Sequence, residues 1–266
     1  MLLDEHIIRQ HLTQAGFHKQ LALYVLDSID STNRYLKELT THEAIALCCA
    51  ETQTHGRGRF QRTWFSPHAE NIYCSFRWHF PNPSNLLSTL SIVISLAILE
   101  TLKSLNIAEG IQIKWPNDLL WQDKKLCGIL LETIQHPTTG VYVIIGIGLN
   151  VNSDSHAHQS ENAPLKPWCS LYDITQKTMD RNKLIAQLLT HIHQYITRFE
   201  TAGFPYFLSQ WHASDCLDGK NVEILQGNQI IRGVAQGINS QGELLVLDQN
   251  HVLRQIASGE ASVLSR

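Results

Sequence analysis

The chain has 266 residues, 43% hydrophobic and 17% charged, with a formal net charge of −3. That apolar share supports a sizeable core and excludes a disordered chain, and the length suits one large domain with a small one. The slight negative charge gives no electrostatic ground for general nucleic-acid binding.

In chain order, residues 5–14 are predicted as a helix and 23–26 as a strand, followed by strands at 44–49 and 71–80. Residues 86–105 are apolar but broken by Ser88, Thr89, Ser91, Ser95, Glu100 and Lys103, so a buried helix over 85–105 is expected rather than a membrane span. Strands are expected at 111–115, 126–133 and 141–149. Residues 153–167 are polar and aperiodic, and are expected to be a mobile loop. In the helix expected at 180–201, Leu184, Ile185, Leu188, Leu189, Ile192, Ile196 and Phe199 form one apolar stripe, and a shorter helix should cover 205–212. After Asp215 the texture changes to short strands at 221–225, 230–237, 243–247 and 251–256, with turns at Gly227-Asn228, 239–242 and Gln249-Asn250. This pattern predicts an α+β fold, a mixed sheet backed by helices over 1–215 and a small barrel over 216–266.

No signal peptide is expected, because the N-terminus lacks a basic n-region and an apolar h-region. The six cysteines form no Cys-x-x-Cys pair and Cys48 adjoins Cys49, which points to reduced thiols in a cytoplasmic protein. The pairs His156/His158 and His191/His193 are expected to be solvent-exposed rather than metal ligands, since i and i+2 do not share a helix face.

Two segments carry the chemistry. In Gly56-Arg57-Gly58-Arg59, glycines are expected to free the backbone for positive φ and close approach, while the arginines offer forks for phosphate or carboxylate oxygens. No Gly-Lys-Ser/Thr follows and no third glycine completes a dinucleotide fingerprint. In the second, Ile111 to Trp115 alternates as a strand, Pro116 ends the ladder, and Gln122 to Lys125 is a polar hairpin turn. Lys125 then sits where the hairpin re-enters the sheet, and Gly128 permits close backbone approach. Together they suggest a site for an anionic, phosphorylated intermediate.

Asp30-Ser31-Thr32-Asn33, Glu51-Thr52-Gln53, the glycine–arginine loop, Trp64-Phe65-Ser66-Pro67, Asn71-Ile72-Tyr73, Lys114 to Asp118, Lys125 to Gly128 and Gly146 to Asn152 occur in that order, and together they resemble the biotin protein ligase family. The resemblance spans almost the whole chain. It implies a class II synthetase-like catalytic domain with an SH3-like C-terminal barrel. It also implies a two-step reaction, in which biotin and ATP with Mg2+ give biotinyl-5′-adenylate and biotin then passes to a lysine of a biotin carboxyl carrier protein. Lys125 would stabilise charge as two anionic groups meet, and Arg59 would act as a cationic latch. Ser31, Thr32, Asn33, Gln53, Arg57, Gly58, Arg59 and Gly128 would serve biotin. Arg62, Trp64, Asn117, Asp118, Lys125, Asn150 and Trp168 would serve the nucleotide, with Asn152 also expected to face it and Asp118 a candidate metal ligand. Ser31 or Thr32 could equally be the N-cap of a helix at 34–39, and Asn150 and Asn152 could be turn-formers at a strand end.

There are two departures from the family pattern: Gln61 stands where glycine is common and should stiffen the loop, and Cys127 replaces a common alanine and should pack as a small apolar group. About thirty residues precede Ser31, too few for the three-helix DNA reader some members carry, so no specific DNA binding is expected. A membrane partner is not expected either, and a homodimer is left open. A lipoate or octanoate ligase on the same fold and a non-catalytic biotin sensor are the competing readings. Lipoate lacks a ureido group to match Ser31–Asn33 and Gln53, and Lys125 with the loop arginines argues for catalysis.

Overall fold

The computed structural model describes residues 1–40, 43–81, 85–135, 140–157, 166–227 and 229–264. Its larger sheet holds β1 (Ala22–Ile29), β2 (Ile45–Gln53), β3 (Ile72–Phe80), β4 (Ile111–Lys114), β5 (Asp118–Trp121), β6 (Lys124–Gln135) and β7 (Val141–Leu149). The strand order is β1-β2-β3-β7-β6-β5-β4, with β1 and β2 parallel and the other neighbours antiparallel. The central strands are apolar on both sides because both faces are covered: Ile144 and Ile145 are each fully buried, in separate clusters.

On one face lie α1 (Glu5–Gln14), α3 (Leu90–Ser104) and α5 (Arg181–Ala202). The predicted stripe of α5 from Leu184 to Phe199 is buried there, and Asp180 caps the helix by accepting from Asn182 N and Lys183 N. Residues 87–104 meet the length and hydropathy of a membrane span, yet α3 is a core helix with Leu90, Val93, Ile94 and Ile98 fully buried. Its first expected turn is a 3-10 helix over Asn85–Thr89. On the opposite face α2 (Thr32–Glu38) covers only the end built by β2, β3 and β7, packing Leu36 on Ala46, Cys48 and Ile144. The uncovered remainder of that face is a trough.

A buried ion pair locks the helical face to the sheet. Arg181 donates to Glu51 at 2.6 Å and to the Asn71 carbonyl at 3.1 Å, with both charged side chains almost fully buried. The N-terminal strand of chain completes the pairing, since Arg181 also donates to the Met1 carbonyl and Leu3 N donates to Glu51.

After α4 (Leu171–Thr175) and α6 (Leu208–His212), residues 214–216 run along β4, and a second sheet follows. It comprises β8 (Asn221–Gln226), β9 (Gln229–Ile238), β10 (Leu244–Asp248), β11 (Leu253–Ile256) and β12 (Glu260–Val263), in the order β11-β10-β9-β8-β12. The edge strands β11 and β12 are separated by only residues 257–259. A chain that short spans ~14 Å, less than the ~19 Å width of five flat strands, so the sheet must curl towards closure, as in an SH3-like barrel. Two elements were not expected from sequence. Glu260–Val263 is only four residues and contains the poor strand formers Glu, Ala and Ser, while α4 is a five-residue helix set by a Ser170/Asp173 capping box. The central part of the loop expected at 153–167, with His158, and Asn228 of the expected turn lie outside the described residues. His191 and His193 are half-buried rather than exposed: His191 lies against Thr101, and His193 packs on Phe17 and Trp78.

Candidate active site

The trough is a cleft of about 570 Å³, of the size that encloses a small-molecule ligand. Its head is a neutral polar network at the start of α2. Ser31 occupies the N-cap position but its hydroxyl makes no capping bond; it lines the cleft instead. Thr32 donates from N and Oγ1 to Gln53 Oε1, at 3.0 and 3.2 Å. Ser75 donates to Asn33 Oδ1 at 2.6 Å and lies 2.7 Å from Thr32 Oγ1. The Asn33 amide donates to Glu132 at 2.9 Å and to the Leu130 carbonyl, so both its polar atoms are taken by the protein. Gly146 makes room for it: a Cβ there would stand 2.3 Å from Asn33 Oδ1. Ser75 and Glu132 were not foreseen from sequence. Each is an ordinary strand residue until the register places Ser75 beside Gly146.

The lysine is aimed by a bulge. Leu119 pairs with Cys127 but Leu120 pairs with Lys125, so Leu126 is an extra residue in β6. The alternation shifts by one, and Lys125 emerges on the same face as Gly128; a Cβ at Gly128 would meet Lys125 Nζ at 3.0 Å. The Lys125 backbone is held by Pro167 O on its N–H and by Cys169 N on its carbonyl. Asn150 Nδ2 fastens the same junction by donating to the carbonyls of Lys125 and Cys169. Lys125 Nζ pairs with Asp118 at 2.8 Å and lies 5.3 Å from the Trp64 ring centroid. Gly128 and Gly148 face each other across β6 and β7 and form a flat floor beneath that indole. The buried Trp64 N–H has no acceptor among the described residues. Trp168 also lines the cleft, bridged to Lys125 through the backbone and with its ring 6.5 Å from Phe65. Cys127 is fully buried and burial pushes its thiol well up, so it behaves as the apolar group expected.

The glycine–arginine loop is a small hairpin, closed by Gly58 N to Arg62 O at 2.7 Å and Trp64 N to Gly56 O at 2.9 Å. Positive φ falls on Phe60 (55°) and Gln61 (59°), not on Gly56 or Gly58 as expected. This accounts for the glycine common at position 61: the tip needs a left-handed residue, and Gln61 bears a cost of ~1–2 kcal/mol that glycine avoids. Gly56 is required for space, since a Cβ would lie 2.6 Å from the Trp64 carbonyl. Arg57 pairs with Glu132 at 3.5 Å. Arg62 makes a two-pronged contact with Glu260, which also takes Lys166 at 2.6 Å. The Arg62 hydrogen bonds outweigh burial and, with Lys166, hold the Glu260 carboxyl down at about 2. Arg59 differs. It donates to neutral Asn117 Oδ1 at 3.3 Å, lies over Phe60, and burial lowers its pKa. Asn117 is fixed in turn by donating to the Ile129 carbonyl.

One expected residue is elsewhere. Asn152 is spent on Met179, accepting from its N–H at 2.7 Å and donating to its carbonyl at 3.0 Å, and it does not line the cleft. It is a loop fastener, the turn role that its position at the strand end also allowed. Conversely, Glu260 and Ala261 bring the small sheet to the cleft wall, which the unexpected β12 makes possible.

A cleft with a neutral polar head, a glycine floor and a clamped lysine under an arginine hairpin defines an enzyme site for a small molecule with one uncharged and one anionic end. Residues 25–150 match the biotin/lipoate A/B protein ligase family and residues 219–264 the biotin protein ligase C terminal domain. The bifunctional ligase/repressor BirA of Escherichia coli K12 is 36% identical over 245 residues, covering 91% of this chain and 74% of that protein. A Mycobacterium tuberculosis protein named biotin–[acetyl-CoA-carboxylase] ligase is 30% identical over 91% of this chain and 89% of its own. Biotin protein ligase from Aquifex aeolicus in complex with biotin and ATP matches with a TM-score of 0.77 at 30% identity, over 92% of this chain and 99% of that chain. The chain belongs to the biotin/lipoate A/B protein ligase family.

Proposed function

We propose that the chain is an ATP-dependent biotin–protein ligase acting on a biotin carboxyl carrier protein in the cytoplasm. The observation that supports this most is the pairing, in one cleft, of a buried neutral hydrogen-bonding head with a bulge-aimed lysine at the anionic end. Biotin's ureido ring offers both donors and acceptors and suits Ser31, Thr32 and Gln53, with Asn33 holding that set from behind. Its valerate chain would run past the Trp64 indole, which lies on the Gly128/Gly148 floor, towards Lys125.

In the first step the biotin carboxylate attacks the α-phosphorus of ATP and pyrophosphate leaves. Lys125 sits where two anions would meet; its ammonium offsets their repulsion and charge developing on the α-phosphate. Arg59, the loop cation bonded to a neutral amide, supplies the second positive charge, with Arg57, Gly58 and Arg62 forming the hairpin around it. Trp64, Asn117, Asn150 and Trp168 complete the nucleotide end, Asn150 by holding the Lys125 junction. In the second step the carrier lysine's amine attacks the acyl carbon and AMP leaves; the hairpin keeps water away. Mg2+ would enter with the nucleotide phosphates. Among the described residues no three His, Cys, Asp or Glu groups cluster as a metal site, and Asp118, the single candidate, is paired with Lys125. In this reading residues 1–215 form the catalytic domain and 216–266 the C-terminal barrel, and the Arg62–Glu260 pair at the cleft supports their acting together. No specific DNA or membrane partner belongs to this function.

The test is to incubate the protein with a carrier domain, MgATP and either biotin or lipoate, and to read the carrier mass. A biotin adduct on one lysine is expected; a lipoyl adduct, or none, overturns the proposal.

A further inference from the structure

We infer that Glu132 is a positioning residue that couples the arginine hairpin to the head of the cleft, one carboxylate holding both Arg57 and the Asn33 amide. The inference rests on the ligase function proposed above and adds a residue to it.

Glu132 lies on β6, in the alternation that continues from Gly128 through Leu130 on the cleft side of the sheet. Its side chain is 16% exposed. The two oxygens do different work. Oε2 accepts from Asn33 Nδ2 at 2.9 Å. Oε1 takes Lys37 Nζ at 2.9 Å and Arg57 Nη1 at 3.5 Å. Burial opposes the charge, but the hydrogen bonds from Asn33 and Lys37 and the charge of Arg57 outweigh it and hold the carboxyl below its ordinary value.

An ionised carboxylate only accepts, so it can hold the Asn33 amide one way round: nitrogen towards Glu132, oxygen towards Ser75. The reversed amide would set oxygen against oxygen. The fixed Asn33 oxygen then takes the Ser75 proton, beside the bond by which the Thr32 N–H holds Gln53. The orientation of the Asn33–Ser75 pair therefore traces back to one charge. The amide lies close over Gly146, where a Cβ would stand 2.3 Å from Asn33 Oδ1 and 2.9 Å from its amide carbon. The same charge reaches the loop at Arg57, directly before the hairpin closes at Gly58. A ligand bound at the head favours the ionised, correctly placed Glu132, and that placement favours the closed hairpin. The reverse holds by linkage.

The test is Glu132→Gln, which keeps volume and one acceptor but removes the charge. The KM for biotin should rise about tenfold with kcat within about twofold, the signature of lost binding organisation rather than lost transition-state contact. Without ligand, trypsin should cut the hairpin faster than in wild type. Arg57→Gln should give a similar KM, and the double variant should be no worse than either single one. Lys37→Gln, which touches the same carboxylate but neither loop nor cleft, should leave KM unchanged. An unchanged KM in Glu132→Gln, additive losses in the double variant, or equal falls in kcat and thermal stability would overturn the inference. Failure of the wild type to label the carrier would instead overturn the proposed function, while the trypsin comparison would still read the Glu132–Arg57 coupling.

Discussion

At the head of the cleft, Ser31, Thr32, Asn33 and Ser75 are nearly fully buried and uncharged, and Gln53 joins the last three in a connected set of hydrogen bonds. At its mouth Arg57, Arg62 and Lys125 are cations on a hairpin and a strand end, with side chains 49%, 54% and 36% exposed. The head is organised by folding, so a ligand meets donors and acceptors already placed and loses little in ordering them. The mouth is held by exchangeable ion pairs: Arg57 with Glu132, Arg62 with Glu260, Lys125 with Asp118. A strongly anionic ligand can compete for such cations. Selectivity should therefore reside in the head and rate in the mouth.

The largest expected effect tests the head. Biotin should exceed lipoate in kcat/KM by about four orders of magnitude, because a ligand without a ureido group leaves buried polar atoms unpaired. Comparable values for the two acids would show that the head does not select. The mouth is broken next by Lys125→Ala, for which adenylate formation, followed as pyrophosphate release, should fall about a thousandfold with little change in thermal stability. Lys125→Arg should not restore it, since a planar fork cannot occupy the space of an ammonium between Gly128 and the Trp64 ring. A near wild-type rate in Lys125→Ala would move the electrostatic role to Lys114, which also lines the cleft.

The same division explains what the sequence made legible. The α5 stripe and the β5–β6 hairpin are local patterns and appear where expected, although the turn expected over Gln122 to Lys125 is confined to Gln122 and Asp123 and β6 already starts at Lys124. The scaffold of the head was not legible. Ser75 and Glu132 acquire meaning only from strand register, and neither has a neighbour in sequence that marks it. The bulge at Leu126 is likewise invisible in an apolar run, although it decides which face Lys125 takes. Asn152 misled because two asparagines two residues apart look equivalent in sequence. Asn150 turns to the Lys125 junction and Asn152 to Met179. Positive φ was assigned to the glycines of the loop, yet hairpin closure puts it two residues further on.

A smaller effect separates Arg59 from the other loop arginines. It has a neutral partner in Asn117, so its charge is the one on the hairpin best placed to hold an adenylate rather than a carboxylate of the protein. Arg59→Gly should still form adenylate but lose it to solvent. Biotin attached to an unrelated lysine-rich protein should then rise about tenfold over wild type, the loss of one charge-assisted contact of about 1.5 kcal/mol. If bystander labelling is unchanged while carrier labelling falls, Arg59 serves adenylation or carrier docking and the mouth has no latch.

The smallest effect concerns the junction of the two sheets. The hydrogen bonds from Arg62, opposed by burial and assisted by Lys166, depress the Glu260 carboxyl to about 2. A carboxyl lowered on folding adds stability above its unfolded value, near ~4.3, and loses it as pH falls through the folded one. The gap in unfolding temperature between wild type and Glu260→Gln should thus be fully present above about pH 5 and close between about pH 4 and 2. The carboxyl shares its pair with arginine and lysine side chains that are 54% and 69% exposed, so screening keeps the gap small and added salt should narrow it at every pH. A gap independent of both pH and salt would mean that Glu260 holds the barrel against the cleft by packing alone. Arg62 would then be as free as Arg59 to meet an anion, and the distinction between pinned and unpinned arginines would fail.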